Sequence, residues 1–221
     1  MLAKRLVPCL PIALGPSRPA PGFVADLASR ARNLQDDGAD ELWLWIQGDP
    51  RLAAHHAICE VAGEMSISVG LEGATCAADV DAFLSAGVDK VVVAASSSGL
   101  IESSVHRWGT RAVVARIDAA EADAVALATQ AASLGAGELI VCWTATAVGS
   151  ETDSIRAVSD AVDVPVIAGG AISELGQVRS ALLEGRADGA LLSLDLIHAA
   201  CGMAEVKRYL VAAGIVVRGV S

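Results

Sequence analysis

The sequence predicts an α/β fold, a single (β/α)8 TIM barrel that occupies residues 1–221 as one domain. Eight short apolar runs recur about every 20 to 35 residues, and alanine-rich helical patterns lie between them. The apolar content of 53% is enough for one large core. Eight βα units in 221 residues favour a closed parallel barrel over an open doubly wound sheet.

The predicted strands are continuous apolar runs, which is typical of a parallel sheet buried on both faces. They span residues 5–10, 41–46, 66–70, 90–94, 112–117, 138–143, 164–168 and 189–194. No glycine-rich G-x-G-x-x-G turn follows the first strand, so a dinucleotide-binding fold is not indicated.

The intervening segments have the composition of helices, and each tends to end near a glycine. The clearest helical patterns span residues 25–36, 77–86, 120–134, 154–161 and 175–183. The glycines that we expect in the left-handed cap conformation are Gly38, Gly87, Gly135 and Gly185.

Composition excludes several classes of partner. A formal net charge of −10 repels nucleic acid and anionic lipid, so neither is an expected partner. No apolar run reaches about 18 residues, and the N-terminus lacks the features of a signal peptide. The five cysteines show no paired spacing, which indicates free thiols in the cytoplasm. The histidines show no ligand spacing, so we expect no metal, and nothing predicts a cofactor.

Several short motifs, taken in order and spacing, resemble one known family. They are MLAKRLVPCL at 1–10, GADEL at 38–42, VDKV at 88–91, AGEL at 136–139, VPVIA at 164–168 and EVKRYLVAAGIVVR at 205–218. Together they resemble the cyclase subunit of imidazole glycerol phosphate synthase, a (β/α)8 barrel of histidine biosynthesis. The resemblance covers nearly the whole chain and implies the same fold.

The residues at the carboxyl ends of the strands depart from that family. Its first acid/base aspartate is replaced by Pro11, which has no ionisable group, whereas the second position keeps a carboxylate, Asp118. Residues that hold two substrate phosphates in the family are replaced by Ala94-Ala95, Ala147-Val148 and Asp195. The loops after strands 1 and 5 are shorter than in the family. We therefore interpret the chain as a divergent paralogue, in which the original cyclase activity is a less favoured expectation.

Four charged residues at strand starts match the family one by one: Arg5, Glu41, Lys90 and Glu138. Inward-facing residues at strand starts meet at the N-terminal mouth of a barrel, so these four would form a ring of salt bridges. In the family this ring gates the entry of ammonia from a docked glutaminase, and Asp89 matches a position at the docking face. Alternatively the ring is purely structural, because buried charges must pair.

Strand alternation predicts which side chains face the barrel interior near its C-terminal mouth. The predicted catalytic carboxylates are Asp118, Glu72 and Asp195. The substrate-binding residues predicted by alternation are Arg116, Gln47, Trp45, Cys142 and Thr144, and the resemblance adds Gly169 and Gly170, which keep the look of the family's phosphate-binding turn. In one interpretation the carboxylates are acid/base groups, Arg116 orients the substrate and the indoles stack on it. In the other, Arg116 only neutralises a buried carboxylate and the indoles fill space.

Two hypotheses about function follow. The first is an acid/base lyase or cyclase acting on a small, non-bisphosphorylated metabolite, with specialised-metabolite biosynthesis as a natural setting. The second is a non-catalytic barrel whose N-terminal face docks a glutaminase-like subunit. Residual channelling of ammonia through the ring to a new acceptor is a third, weaker variant.

Overall fold

The computed structural model describes residues 3–13, 22–47, 54–121, 123–143, 151–170 and 172–219. Its eight strands are parallel and close into one barrel in chain order, which confirms the predicted fold class. The strands are β1 (Arg5–Ala13), β2 (Glu41–Gln47), β3 (Ser68–Glu72), β4 (Lys90–Ala94), β5 (Val113–Asp118), β6 (Glu138–Trp143), β7 (Val166–Gly170) and β8 (Gly189–Ser193).

Helices follow the strands and surround the barrel. They are α1 (Phe23–Asp36), α2 (Ala54–Glu64), α3 (Ala77–Ser85), α4 (Ser98–Trp108), α5 (Ala124–Ser133), α6 (Glu151–Ala161), α7 (Leu175–Leu183), α8 (Leu194–Ala199) and α9 (Met203–Ala212). A single 3-10 turn at Thr110–Ala112 precedes β5. Among the described helices, none combines the length and apolar character that a membrane crossing requires.

Three predicted elements begin two or more residues later in the structure than in the sequence pattern, each for a local reason. Pro165 has no N–H to give to the sheet, so β7 begins at Val166. The N–H of Ser66 donates to the side chain of Gln35, and β3 begins two residues later. The Asp118 carboxylate accepts the N–H of Ala120, and α5 therefore begins at Ala124 rather than at residue 120.

Inside the barrel, one apolar layer fills the space at mid-height. We call it the inner layer; its buried members are Val7, Trp43, Val92, Val114, Ile140, Cys142, Ile167 and Leu191. Trp43 is the largest of them and is 2% exposed. A Cβ on Gly70 would lie 2.5 Å from the Trp43 ring, so the bulky indole depends on a glycine in the neighbouring strand.

The turns that enter the even-numbered strands share one conformation. The backbone has a positive φ at Gly38 (98°), Gly87 (103°), Gly135 (95°) and Arg186 (60°). The prediction for Gly185 is therefore wrong, because the left-handed residue there is the next one along. Gly185 is needed for close packing instead, since a Cβ on it would lie 2.6 Å from the carbonyl oxygen of Ala181.

Three of these turns continue with an aspartate that joins two strands. Its carboxylate accepts a backbone N–H of the preceding odd-numbered strand: Asp40 from Leu6 at 2.7 Å, Asp89 from Val69 at 2.8 Å and Asp188 from Val166 at 3.1 Å. Before β6 the position is Gly137, where a Cβ would lie 2.3 Å from the Thr110 carbonyl oxygen. The N-terminal end of the barrel is thus built from a repeated pair of strands.

Candidate active site

A cavity of 540 Å³ opens at the carboxyl ends of the strands, and we call it the upper cavity. Inward-facing positions at the ends of β2, β3, β5 and β6 contribute side chains to its wall, as expected from strand alternation. The predicted site residues that line it are Glu72, Arg116, Gln47, Trp45, Cys142, Gly170 and Asp195. Active sites of (β/α)8 barrels lie at this end.

Arg116, on β5, connects two groups on other strands. Its Nε donates to Cys142 Sγ on β6 at 3.1 Å and lies 3.3 Å from Glu72 Oε1 on β3. The Arg116 side chain is 47% exposed toward the cavity mouth, whereas the Glu72 side chain is 19% exposed. The carboxylate therefore lies deeper than the cation that pairs with it.

Burial controls the protonation of the groups in this cavity. It raises the pKa of Glu72, and the nearby charge of Arg116 offsets only part of that effect. Burial also raises the pKa of Cys142, against the opposing effect of Arg116. Cys9, on β1, shares the cavity, and burial together with the charges of Glu72 and Cys142 raises its pKa to about 12. Both thiols therefore remain protonated at neutral pH, and the pKa of the Glu72 carboxyl is shifted toward neutral pH.

The other two predicted catalytic carboxylates have different surroundings. Asp118, at the end of β5, accepts the backbone N–H of Ala120 at 2.9 Å and so holds the turn that leads to α5. It is close enough to Arg116 to interact electrostatically, but it is not among the described residues that line the upper cavity. Asp195 lines the cavity from the first turn of α8 and is exposed to solvent.

The aromatic and glycine positions divide into cavity wall and close packing. Trp45 is 43% exposed and presents its indole to the upper cavity. Gly170 combines a φ of 91° with a backbone approach so close that a Cβ would lie 2.2 Å from the Trp143 carbonyl oxygen. Gly169 packs against Ile140 and Leu191. Thr144, also predicted as substrate-binding, lies outside the described residues.

Sequence reasoning missed part of the cavity wall. Arg30 on α1 lines the cavity, as does His198 on α8, and both also line an adjoining cavity of 210 Å³ between these helices. Helix periodicity predicts which face of α1 is buried. It does not predict which exposed residue of that helix lies next to the end of a neighbouring strand, so the sequence held no signal for Arg30. The remaining wall residues are Cys9, Pro11, Leu191, Leu192, Ser193 and Leu194.

At the opposite, N-terminal mouth, the four charged residues at strand starts meet as a closed charge ring. Arg5 donates to Glu41 at 2.7 Å and also to Glu138, and Lys90 donates to Glu41 at 2.7 Å and to Glu138 at 3.1 Å. Burial would raise the pKa of Glu41, but Lys90 and Arg5 outweigh it and lower that pKa. The ring is electrically neutral as a whole.

Asp89 and Trp43 each have a packing role next to the charge ring. One oxygen of the exposed Asp89 carboxylate accepts the N–H of Val69 within the barrel. Trp43 stands two residues beyond Glu41 on the same face of β2, so its indole lies between the ring and the upper cavity. These contacts agree with a structural role for the charge ring.

Fold and cavity together define a (β/α)8 barrel with its candidate site at the carboxyl ends of the strands. Residues 20–199 match the family model described as histidine biosynthesis protein. The chain belongs to this family, which confirms the membership predicted from its motifs.

Two solved structures show how widely the same architecture is shared. A mutant tryptophan synthase α-subunit from the hyperthermophile Pyrococcus furiosus superposes with a TM-score of 0.67 at 16% identity, covering 96% of this chain and 97% of that one. The N-acetylmannosamine-6-phosphate 2-epimerase of Clostridium perfringens gives a TM-score of 0.65 at 15% identity, covering 88% of each chain. At these identities the likeness concerns the fold alone.

Proposed function

We propose that the chain is an acid/base enzyme of the lyase or cyclase type, with its chemistry in the upper cavity. The observation that carries this proposal is the partly buried Glu72 carboxyl, whose pKa is raised by desolvation and which faces a cavity of 540 Å³ beside Arg116. A carboxyl shifted toward neutral pH is suited to take up and return a proton during turnover. Glu72 is the main acid/base group in this proposal, and Arg116 orients the substrate.

The cavity wall supports a small substrate with a flat part and one anionic group. The exposed indole of Trp45 offers a face for stacking. Arg30 and His198 are two basic side chains at one side of the cavity, suited to a single carboxylate. The exposed Asp195 carboxylate on the same rim would repel a doubly charged phosphate more strongly than a single carboxylate. A non-bisphosphorylated substrate therefore fits better than a bisphosphorylated one.

The proposal is tested by following proton removal from carbon in D₂O. We would incubate the purified protein with a panel of small β-substituted carbonyl compounds and carboxylic acids, and record loss of C–H signals by proton NMR. We expect exchange or elimination for at least one compound, and a decrease of at least about 100-fold with Glu72→Gln. Trp45→Ala should raise KM for that compound more than it lowers kcat.

The matched control is Glu121→Gln, which removes an exposed carboxylate at the same end of the barrel and outside the cavity wall. This variant should behave as the wild type does. Absence of exchange with every compound of the panel, or undiminished exchange with Glu72→Gln, would contradict the proposal.

A second candidate is a docking role for the N-terminal face, toward a glutaminase-like subunit. It is supported by a depression of 670 Å³ beside the charge ring, whose wall includes Arg5, Arg186, Asp188 and Arg218. We expect a purified amidotransferase glutaminase subunit to bind the wild type and to bind Arg218→Glu more weakly. Arg208→Glu, an exposed change on α9, is the control. No complex with the wild type would contradict the docking role.

A further inference from the structure

Cys142 is the one thiol in the upper cavity that accepts a hydrogen bond from Arg116, among the described residues. Its Sγ lies 3.1 Å from Arg116 Nε, and the same Nε lies 3.3 Å from Glu72 Oε1. One cationic group therefore touches both a carboxyl and a thiol that line the same cavity.

We propose that the Cys142 thiol is the second proton-transferring group of this site, and that Arg116 couples its ionisation to the protonation of Glu72. This inference rests on the proposed function and extends it to a substrate class, a small carbonyl or carboxylic compound with a leaving group on the β-carbon. The two groups stand on β3 and β6, and because both contact the same Arg116 Nε they lie near each other in the cavity wall, within reach of one small substrate.

The elimination step balances with these two groups alone. Ionised Glu72 removes the proton from the carbon next to the carbonyl, and the C–H electron pair forms the new C=C bond. The bond to the leaving heteroatom breaks, and the Cys142 S–H gives its proton to that atom. The step ends with a neutral Glu72 carboxyl, a Cys142 thiolate, an unsaturated product and the protonated leaving group, with no change of oxidation state. Water in the cavity then returns the proton from the carboxyl to the sulfur.

Arg116 makes this exchange of charge favourable. While Glu72 is ionised, the guanidinium charge is shared between its carboxylate and the sulfur. When Glu72 becomes neutral, the guanidinium is left to the thiolate that has just formed. Burial raises the pKa of both groups, so the thiol is protonated before the step and the ionised Glu72 carboxylate is a stronger base than an exposed one. A protonated thiol near an ionised carboxylate supplies the acid and the base that the step requires.

The other charged and titratable groups around the thiol are few. Asp118, on the same strand as Arg116, and Glu72 both disfavour a thiolate at Cys142. Cys9, across the barrel on β1, interacts with Cys142 and stays protonated, with a pKa of about 12. Arg116 is thus the cation that opposes these effects among the described residues, and Glu72 competes with the thiol for it.

The coupling is measured on the protein alone by following thiolate ultraviolet absorbance against pH. The difference between the wild type and Cys142→Ser isolates this one thiol. The same difference is then measured between Glu72→Gln and the double variant Glu72→Gln/Cys142→Ser. We expect the midpoint of thiolate formation at Cys142 to fall by about 1 pH unit or more, since Arg116 no longer pairs with a carboxylate. Arg116→Met should raise the midpoint, and Arg116→Lys should restore part of the shift.

Glu121→Gln is the control for loss of a carboxylate at the same mouth and should leave the midpoint unchanged. A midpoint that is unmoved or raised by Glu72→Gln would overturn the coupling.

The role of the thiol in turnover has a separate readout. With a compound that the wild type converts, Cys142→Ser should lower kcat by at least about 100-fold with little change in KM. Full activity of Cys142→Ser would overturn the role of the thiol and leave the proposed function of Glu72 standing.

Discussion

The surroundings of Glu72 in the fold, rather than its position in the sequence, indicate that its pKa is raised. It stands at the end of a short strand, where a carboxylate is ordinarily solvated, yet its side chain is 19% exposed and the Arg116 guanidinium that pairs with it lies nearer the solvent. Strand alternation was sufficient to place it facing inward. Alternation could not reveal how little of the Glu72 side chain is exposed, because that depends on how Trp43 and Trp45 of the neighbouring strand pack.

Stability measurements provide a test of that burial. Because the pKa of Glu72 is higher in the folded than in the unfolded chain, the folded state holds the proton more tightly. The free energy of unfolding therefore falls as pH rises from the unfolded value of about 4.3 through the folded value. Glu72→Gln removes this penalty, so we expect the variant to have a higher melting temperature than the wild type at about pH 8 and no such advantage at about pH 4.

Thermal unfolding followed by circular dichroism at the two pH values is the measurement, with Glu121→Gln as the exposed control. An equal effect of Glu72→Gln at both pH values would mean that the carboxyl titrates normally and that its burial has been overstated.

At the level of elements, the sequence predicted the order and type of the described strands, because apolar runs and helical patterns are local signals. β4 and β6 match the predicted bounds, residues 90–94 and 138–143. The errors arose where a backbone N–H is missing, as at Pro165, or is bound by a side chain, as Asp118 binds the N–H of Ala120. The wrong assignment of Gly185 has a different origin, since an arginine occupies the left-handed position where a glycine is the usual signal.

The pairing of β2 with β3 offers a second test. Gly70→Ala should destabilise the protein by about 1–3 kcal/mol, because the added Cβ would lie 2.5 Å from the buried Trp43 indole, which packs in the inner layer. Trp43→Leu in the same chain should remove that clash. Urea unfolding of the two single variants and the double variant measures the effect.

We expect the double variant Gly70→Ala/Trp43→Leu to be more stable than the sum of the single changes implies. Strictly additive changes would show that the glycine and the indole do not constrain each other.

For the whole molecule, the charge ring ties together four strands that are far apart in the sequence, from Arg5 to Glu138. Glu138→Gln leaves one of its cations without compensation and should lower the free energy of unfolding by about 3 kcal/mol. Combining it with Lys90→Met leaves the neutral Arg5–Glu41 pair, so most of that loss should be recovered. Chemical denaturation of the wild type, the two single variants and the double variant gives the coupling energy between Lys90 and Glu138.

If the double variant Lys90→Met/Glu138→Gln were less stable than Glu138→Gln alone, the ring would not behave as a set of mutually neutralising charges.

Acid should also lower the stability of the wild type through this ring. Because Lys90 and Arg5 lower the pKa of Glu41, the stability that it contributes is present above its unfolded pKa and is lost as pH falls through the folded value.

Trp43 and the apolar side chains packed around it separate the charge ring from the upper cavity. Glu138 and Cys142 stand four residues apart on β6, about 13 Å of strand, so distance weakens the effect of a charge altered at one mouth on the other. Substitutions among Arg5, Lys90 and Glu138 should therefore lower the free energy of unfolding and move the titration of Cys142 far less than Arg116→Met does. The chemistry of one mouth and the architecture of the other could therefore have diverged at separate rates.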